Sequence, residues 1–247
     1  MIVIQTENDL NRKVTECFAI GSNSPCVPVS KFDSSYTGTV VSYGILRGTG
    51  EILKNSKSFY YIDHGYFGSV QRKFKEGKTI ILKSLSGYFR IVKNDLMHDG
   101  NGQYDKKRID KFNIKFKKIR TSGEFIILSE PSKFITNYLN LQNWTQETVE
   151  EISKYTDRKI IVHSKQSTIP LDELLKHAWA FVSVQSTAGF KAMIQGVPAH
   201  FTYNKLKSIN SIEEIEKGKI DYQIFNNLAY CQWTLEEMKS GEMMGYL

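Results

Sequence analysis

Residues 180–201 read AFVSVQSTAGFKAMIQGVPAHF. An apolar run stops at Gln185-Ser186-Thr187, small residues follow, and a helical pattern begins at once. Gly196 closes that pattern, and VPAHF (197–201) reads as another strand. A strand, a polar turn, a helix and a strand in this order make one unit of an α/β layer. Upstream, the unit repeats. GEFIILSE (123–130) is a strand, and PSKFITNYLNL starts a helix with Pro131 in the favoured first position. NWTQETVEEISKYT (143–156) is a helix with Asn143 and Gln146 as its capping pair. RKIIVHSK (158–165), IPLDELLKHA (169–178) and WAFVSVQ (179–185) follow as strand, helix and strand. Strands that alternate with helices require right-handed crossovers and a parallel sheet.

The first half carries the same alternation. GTVVSYG (38–44) is a buried strand, ILRGTGEILKNS (45–56) a helix and SFYYID (58–63) a strand. KTIILKS (78–84) and GYFRIVKN (87–94) are two more strands. Residues 95–112 read as a polar loop, and 221–238 as one last helix. The expected architecture is α/β: two Rossmann-like domains, 1–120 and 121–247, facing a central cleft. The basic stretch KFKKIRTSGE at the junction lacks a core pattern, and the last helix is expected to pack back on the first domain.

Composition narrows the classes. No apolar run reaches the roughly 20 residues that a membrane span needs. The start, MIVIQTENDLNRK, does not have the form of a secretory signal, so the chain is expected to be cytoplasmic. Cys17, Cys26 and Cys231 show no metal-ligand spacing and are read as reduced packing residues. The 33 basic and 26 acidic residues leave a net charge of +7. That charge suits a polyanionic partner or a phosphorylated substrate, and suits equally a Lys-rich soluble protein.

In an open parallel sheet, ligands gather where strand carboxyl ends meet helix amino ends. Ser129, His163, Lys165 and Gln185 fall at such ends. The helix opening at Ser186 and Thr187 offers unpaired N–H groups and a partial positive charge to a phosphate. Ala188 and Gly189 let a diphosphate approach its backbone. The plainer reading makes Ser186 an N-cap and Gly189 a packing glycine. In the first half, YYIDHGYFGS (60–69) puts Asp63 and His64 at a strand end, where a base for an acceptor hydroxyl would stand. Successive strand residues face opposite ways, so one of the pair is expected at the site. Asp63 is preferred, and a loop cap is its plainer role. Gly44, Arg47, Tyr66 and Arg90 are assigned to the acceptor side, with a simple turn and a strand arginine paired to a carboxylate as the plainer readings. KKRIDKFNIKFKKIR (106–120), with Phe112 and Phe116 between basic residues, is either a nucleic-acid footprint or an exposed basic linker.

The segment FVSVQSTAGFKAMIQGVPAHF, with TDRKIIVHSK before it, resembles the donor-binding half of glycosyltransferases of the GT-B fold. The likeness covers roughly 125–201. It implies a nucleotide-sugar donor, a UDP-sugar first of all, with Ser186, Thr187, Lys165 and His163 facing it. The family's Glu near this helix is missing; Gln185 precedes the turn instead. SYGILRGTGEI, YIDHGYFG and TDRKIIV also resemble phage proteins, and phages glucosylate hydroxymethylated pyrimidines. The resemblance therefore implies a DNA 5-hydroxymethylcytosine glycosyltransferase acting on double-stranded DNA. A saccharide or envelope acceptor and a non-catalytic nucleic-acid-binding protein are the alternatives. No Asp-x-Asp stands in the chain, so the donor site is expected to need no metal and no cofactor. The oligomeric state is left open.

Overall fold

A computed structural model describes residues 1–68, 72–75, 78–81, 86–203, 206 and 209–247, with 72–75 and 78–81 as backbone only. The chain forms two compact units, Met1–Phe112 with Phe225–Leu247, and Asn113–Ile224.

In the first unit the strands are β1 (Ile2–Gln5), β2 (Cys26–Pro28), β3 (Val40–Tyr43), β4 (Phe59–His64) and, after the paired β5 (Arg72–Lys75) and β6 (Lys78–Ile81), β7 (Phe89–Lys93). Leu82–Ser84 of the expected strand KTIILKS lie outside the described residues. α1 (Asp9–Gly21), α2 (Thr49–Asn55) and the short α3 (Lys107–Asp110) come between and after them. β1, β2, β3 and β4 run parallel, and β7 closes on β4 antiparallel. Val3, Val41 and Ile62 turn to the face covered by α1, where Val14 and Phe18 meet them. Strands buried on both faces read as continuous apolar runs rather than as alternation, and that is how VVSY and FYYID read.

The second unit is a single parallel sheet. Its elements are β8 (Phe125–Ser129), α4 (Lys133–Leu139), α5 (Trp144–Ile152), β9 (Lys159–His163), α6 (Leu171–Leu175), β10 (Ala178–Ser183), α7 (Thr187–Ile194) and β11 (Ala199–Phe201). The spatial order is β11-β10-β8-β9. Ile126, Leu128, Ala180 and Val182 pack on Trp144 and Ile152 of α5. The mixed α/β class with parallel sheets is as the sequence led us to expect.

Four local expectations are corrected. Ser132, not Pro131, opens α4: its Oγ accepts from the Ile135 N–H. Asn143 makes no side-chain cap, and Gln146 donates to Glu150 instead. The tail is not one helix. It is α8 (Gln223–Ala229), β12 (Gln232–Trp233) and α9 (Leu235–Ser240), and β12 adds to the first sheet beside β7. Cys26 is exposed rather than packed, while Cys17 and Cys231 are half-buried and all three are free thiols. Among the described residues, no helix is long and apolar enough to cross a membrane.

Candidate functional site

Register aligns the carboxyl ends of the second sheet. Ser129 of β8 pairs with His163 on one side and Ser183 on the other, and Ser183 pairs with Phe201. Four strand ends thus lie in one row, each followed by a polar residue or turn. The Glu130 N–H donates to the His163 carbonyl and the Thr202 N–H to the Ser183 carbonyl. The Thr202 hydroxyl in turn accepts from Trp144 Nε1 at 2.7 Å.

Alternation along β10 sends Val182 and Val184 to the core under α5. It sends Ser183 the other way, and Gln185 follows just beyond the end of the strand. Ser183 is 1% exposed. Its hydroxyl and the Gln185 Oε1 are buried, and neither has a partner among the described residues. Leaving a buried polar group unpaired costs about 1–3 kcal/mol. Two such groups fall within three residues at a strand end, in a class of atom that is satisfied almost throughout a folded chain.

The helix that follows realises both plain readings of the opening stretch. Ser186 is the N-cap of α7, its Oγ accepting from the Ala188 N–H at 3.2 Å, and its carbonyl accepts from the Gly189 N–H. Gly189 is a packing glycine: a Cβ there would lie 2.6 Å from the Phe201 ring. Thr187 and Ala188 are half-buried in the first turn. His163 Nε2 lies 3.2 Å from the Ile169 carbonyl and so ties down the loop that holds the exposed Lys165.

In the first unit, Asp63 and Arg90 are register partners on β4 and β7. Arg90 Nη2 meets Asp63 Oδ2 at 2.8 Å, Nη1 the His64 carbonyl at 2.6 Å and Nε the Leu96 carbonyl at 3.2 Å. The guanidinium lies over the Tyr61 and Tyr66 rings. Its donors are spent inside the unit, which is the strand arginine paired with a carboxylate. Asp63 also accepts from the Tyr61 hydroxyl and the His64 N–H. Burial pushes its carboxyl up, but Arg90, His64 and these hydrogen bonds outweigh burial and hold it below the ordinary carboxylate value. It keeps 30% of its side chain exposed. His64 faces the opposite side, stacked on Phe89, with Nε2 3.3 Å from the Tyr43 hydroxyl.

Tyr66 is buried, its hydroxyl accepting from the His98 N–H. Gln232 of β12 pins this loop by accepting from the Tyr66 and Phe67 N–H groups. Gly44 (φ 77°) and Gly48 (φ 89°) flank an exposed turn in which Arg47 itself takes φ 61°. A Cβ at Gly44 would meet nothing within 4 Å. The basic stretch 106–120 loses one arginine to the interior. Arg108 is buried against the Trp233 ring and paired with Glu237 and Glu242.

Sequence reasoning missed Ser183, Thr202 and Trp144. Ser183 stood inside the deciding stretch, and aligning the strand ends with Ser129 would have brought it forward. Among the described residues, no group of three His, Cys, Asp or Glu side chains could hold a metal ion.

Compared with known proteins, the sequence matches no family model and no curated protein. Solved structures do match. Thermosulfurimonas dismutans KpsC, beta Kdo 2,4 transferase, superposes with a TM-score of 0.50 at 10% identity, over 95% of this chain and 92% of that one. The likeness is one of fold. The beta Kdo 2,7 transferase of the same KpsC covers 100% of both chains at 10% identity with a TM-score of 0.49.

Proposed function

We propose that this chain is a glycosyltransferase, which binds a nucleotide-activated sugar at the carboxyl edge of the second sheet and passes the sugar to a saccharide hydroxyl. The observation that carries this reading is the pair of buried, unpartnered atoms on Ser183 and Gln185 beside the amino end of α7. Gln185 Oε1 is an acceptor in want of an N–H or O–H donor, and the Ser183 hydroxyl can donate to a phosphate or sugar oxygen. The α7 amino end favours the negative charge of the departing phosphate. Ser129 and His163 stand in the same row.

A saccharide acceptor is preferred to a hydroxymethylated pyrimidine in DNA for two reasons. The fold neighbour is titled a Kdo transferase. The basic features that favoured DNA are also partly spent, since Arg90 and Arg108 serve internal partners. A UDP-sugar remains the first donor to try. Transfer to an alcohol also needs a proton acceptor, and Asp63 and His64 are the candidates. A carboxylate already holding three hydrogen bonds, one of them from an arginine, is a weak base, so His64 is its rival.

The test is direct. Thermal stabilisation by a panel of nucleotides and nucleotide sugars, UDP-glucose among them, should identify a donor. Ser183→Ala should then weaken that donor by about 1–3 kcal/mol. The same variant should leave the ligand-free protein as stable as before or slightly more so, because it removes a group that had no partner. A variant that loses stability and keeps its donor affinity would make Ser183 structural and refute the assignment. With a donor in hand, Asp63→Asn and His64→Gln should be assayed on saccharide and on hydroxymethylated DNA acceptors. One of the two is expected to lose about hundredfold or more in turnover while still binding donor. Full turnover in both would reject the base assignment.

A further inference from the structure

A second polar pocket lies at the other edge of the second sheet. Segment 117–122 runs along the amino ends of the strands there. The Lys117 N–H donates to the Ile194 carbonyl and the Arg120 N–H to the Gly196 carbonyl, just where α7 hands over to β11. Together with α6 and α7 this segment borders a half-open cavity of about 560 Å³, lined by Lys117, Arg120, Ser122, Asp172, Lys176 and Lys191 among others. That volume falls within the roughly 300–1,000 Å³ typical of small-molecule sites.

Its charge is one-sided. Four of the lining residues are cationic and one is a carboxylate. Lys191 pairs with Asp172 at 2.6 Å, and Lys176 with Glu173 at 2.6 Å. Lys117 and Arg120 have no carboxylate partner among the described residues. Arg120 is half-buried. Its Nη2 donates to the Leu175 carbonyl at 2.7 Å, while its Nε–H is buried with no acceptor among the described residues. Burial without a counter-ion pulls its guanidinium below the ordinary arginine value. A charged N–H shut off from water and left without an acceptor is a costly arrangement, which an anion placed against it relieves.

The competing explanation is that these cations complement the negative ends of α6 and α7. It accounts for Nη2 alone. The Ile194 and Gly196 carbonyls are already taken by backbone N–H groups, and neither the Lys117 ammonium nor the Arg120 Nε–H is directed to a carbonyl in any hydrogen bond of the described residues.

We propose that this pocket is an anion site that takes a small phosphate-bearing molecule by its phosphate group, with the Arg120 Nε–H and the Lys117 ammonium as principal donors and the Ser122 hydroxyl beside them. The Arg120 Nε–H supplies a directed, charge-assisted hydrogen bond, since Nη2 already serves the Leu175 carbonyl, and the ammonium adds a point charge. The volume is that of a small-molecule site. The site is separate from the carboxyl edge, which lies at the opposite ends of the same strands.

Calorimetric titration of the whole chain with inorganic phosphate and with ribose 5-phosphate, at fixed ionic strength, tests the proposal. Saturable binding of both at equal strength would mean that the phosphate alone is read. Tighter binding of ribose 5-phosphate would mean that the rest of the cavity adds contacts. Lys117→Gln and Arg120→Lys should each weaken binding by about tenfold or more. Lys117 is exposed, so its replacement leaves the fold intact, and Arg120→Lys keeps the charge while removing the Nε–H. Ser183→Ala at the far edge should leave the component of binding that Lys117→Gln and Arg120→Lys weaken unchanged, and any component it does weaken belongs to the donor site. No saturable binding of either probe, or wild-type affinity in both Lys117→Gln and Arg120→Lys, would overturn the proposal.

Discussion

His200 and Asp63 are single residues that set how the molecule responds to acid. His200 is fully buried on β11, with Nδ1 2.8 Å from the Ser211 carbonyl. Burial lowers its pKa from the ordinary 6.5, and the Ser211 carbonyl and Glu214 only partly offset that. A histidine with a lowered folded value binds its proton more readily when unfolded. Its contribution is therefore complete above about 6.5 and is lost as pH falls below that value. Urea denaturation at a series of pH values should show stability declining from neutrality toward pH 5, and His200→Gln should flatten that decline. An unchanged slope in the variant would assign the decline to other groups. Asp63 acts in a lower window. Its carboxyl is held below 3.8, so the Arg90 pair stabilises above that value and is lost only as pH falls through the still lower folded one. Much at this scale was legible in the residues themselves. Ser186 reads as an N-cap because a small hydroxyl residue precedes a helical pattern, and it is one. The Asp63–Arg90 pair was not legible, because only the register of β4 against β7 sets the two residues opposite each other.

The strands and helices of the second unit followed their sequence patterns. In the first unit β1, α1 and β2 went unread, the helix expected over 45–56 starts only at Thr49, and the expected loop 95–112 holds α3. The tail shows what interrupts a pattern. Residues 221–238 carry apolar side chains at helical spacing, yet the helix stops at Ala229 and the chain turns extended at Gln232. Two local forces account for the break. Thr234 forms a complete capping box with Glu237, each side chain satisfying the other's backbone N–H, and a strong cap starts a new helix rather than continuing an old one. Gln232 and Trp233, both buried, gain more as a strand on β7 than as a helical turn. The signature T-x-x-E at 234–237 was present in the sequence and marked the new start. Thr234→Ala should destabilise the first unit by about 1 kcal/mol, measured as a lower midpoint in urea. Thr234→Ser should restore most of it. A neutral Thr234→Ala would mean that packing of Met238 alone positions α9.

At the scale of the whole chain, the deciding fact is that the first unit is discontinuous. Its last part, Phe225–Leu247, returns after all of the second unit. A contiguous pattern of strands and helices shows where elements lie, but not that a late strand joins an early sheet, since that pairing is bought by burial rather than by local propensity. Trp233, Met238 and Met243 are wholly buried in the core with Phe18, Ile62 and Phe89. Each fully buried side chain of this size contributes about 1.5–3 kcal/mol. Three of them, with β12 and the Gln232 clamp on Tyr66 and Phe67, amount to much of the roughly 5–15 kcal/mol that holds a typical domain together. Deleting Phe225–Leu247 should therefore unfold the first unit and spare the second, whose core from Ile126 to Ile215 draws nothing from the deleted segment. Limited proteolysis with mass spectrometry should recover a resistant fragment near 113–224 from the truncated chain, where the intact chain yields protected peptides from both units. Equal protection of residues 1–112 in the truncated protein would show that the early strands hold their core without the late ones.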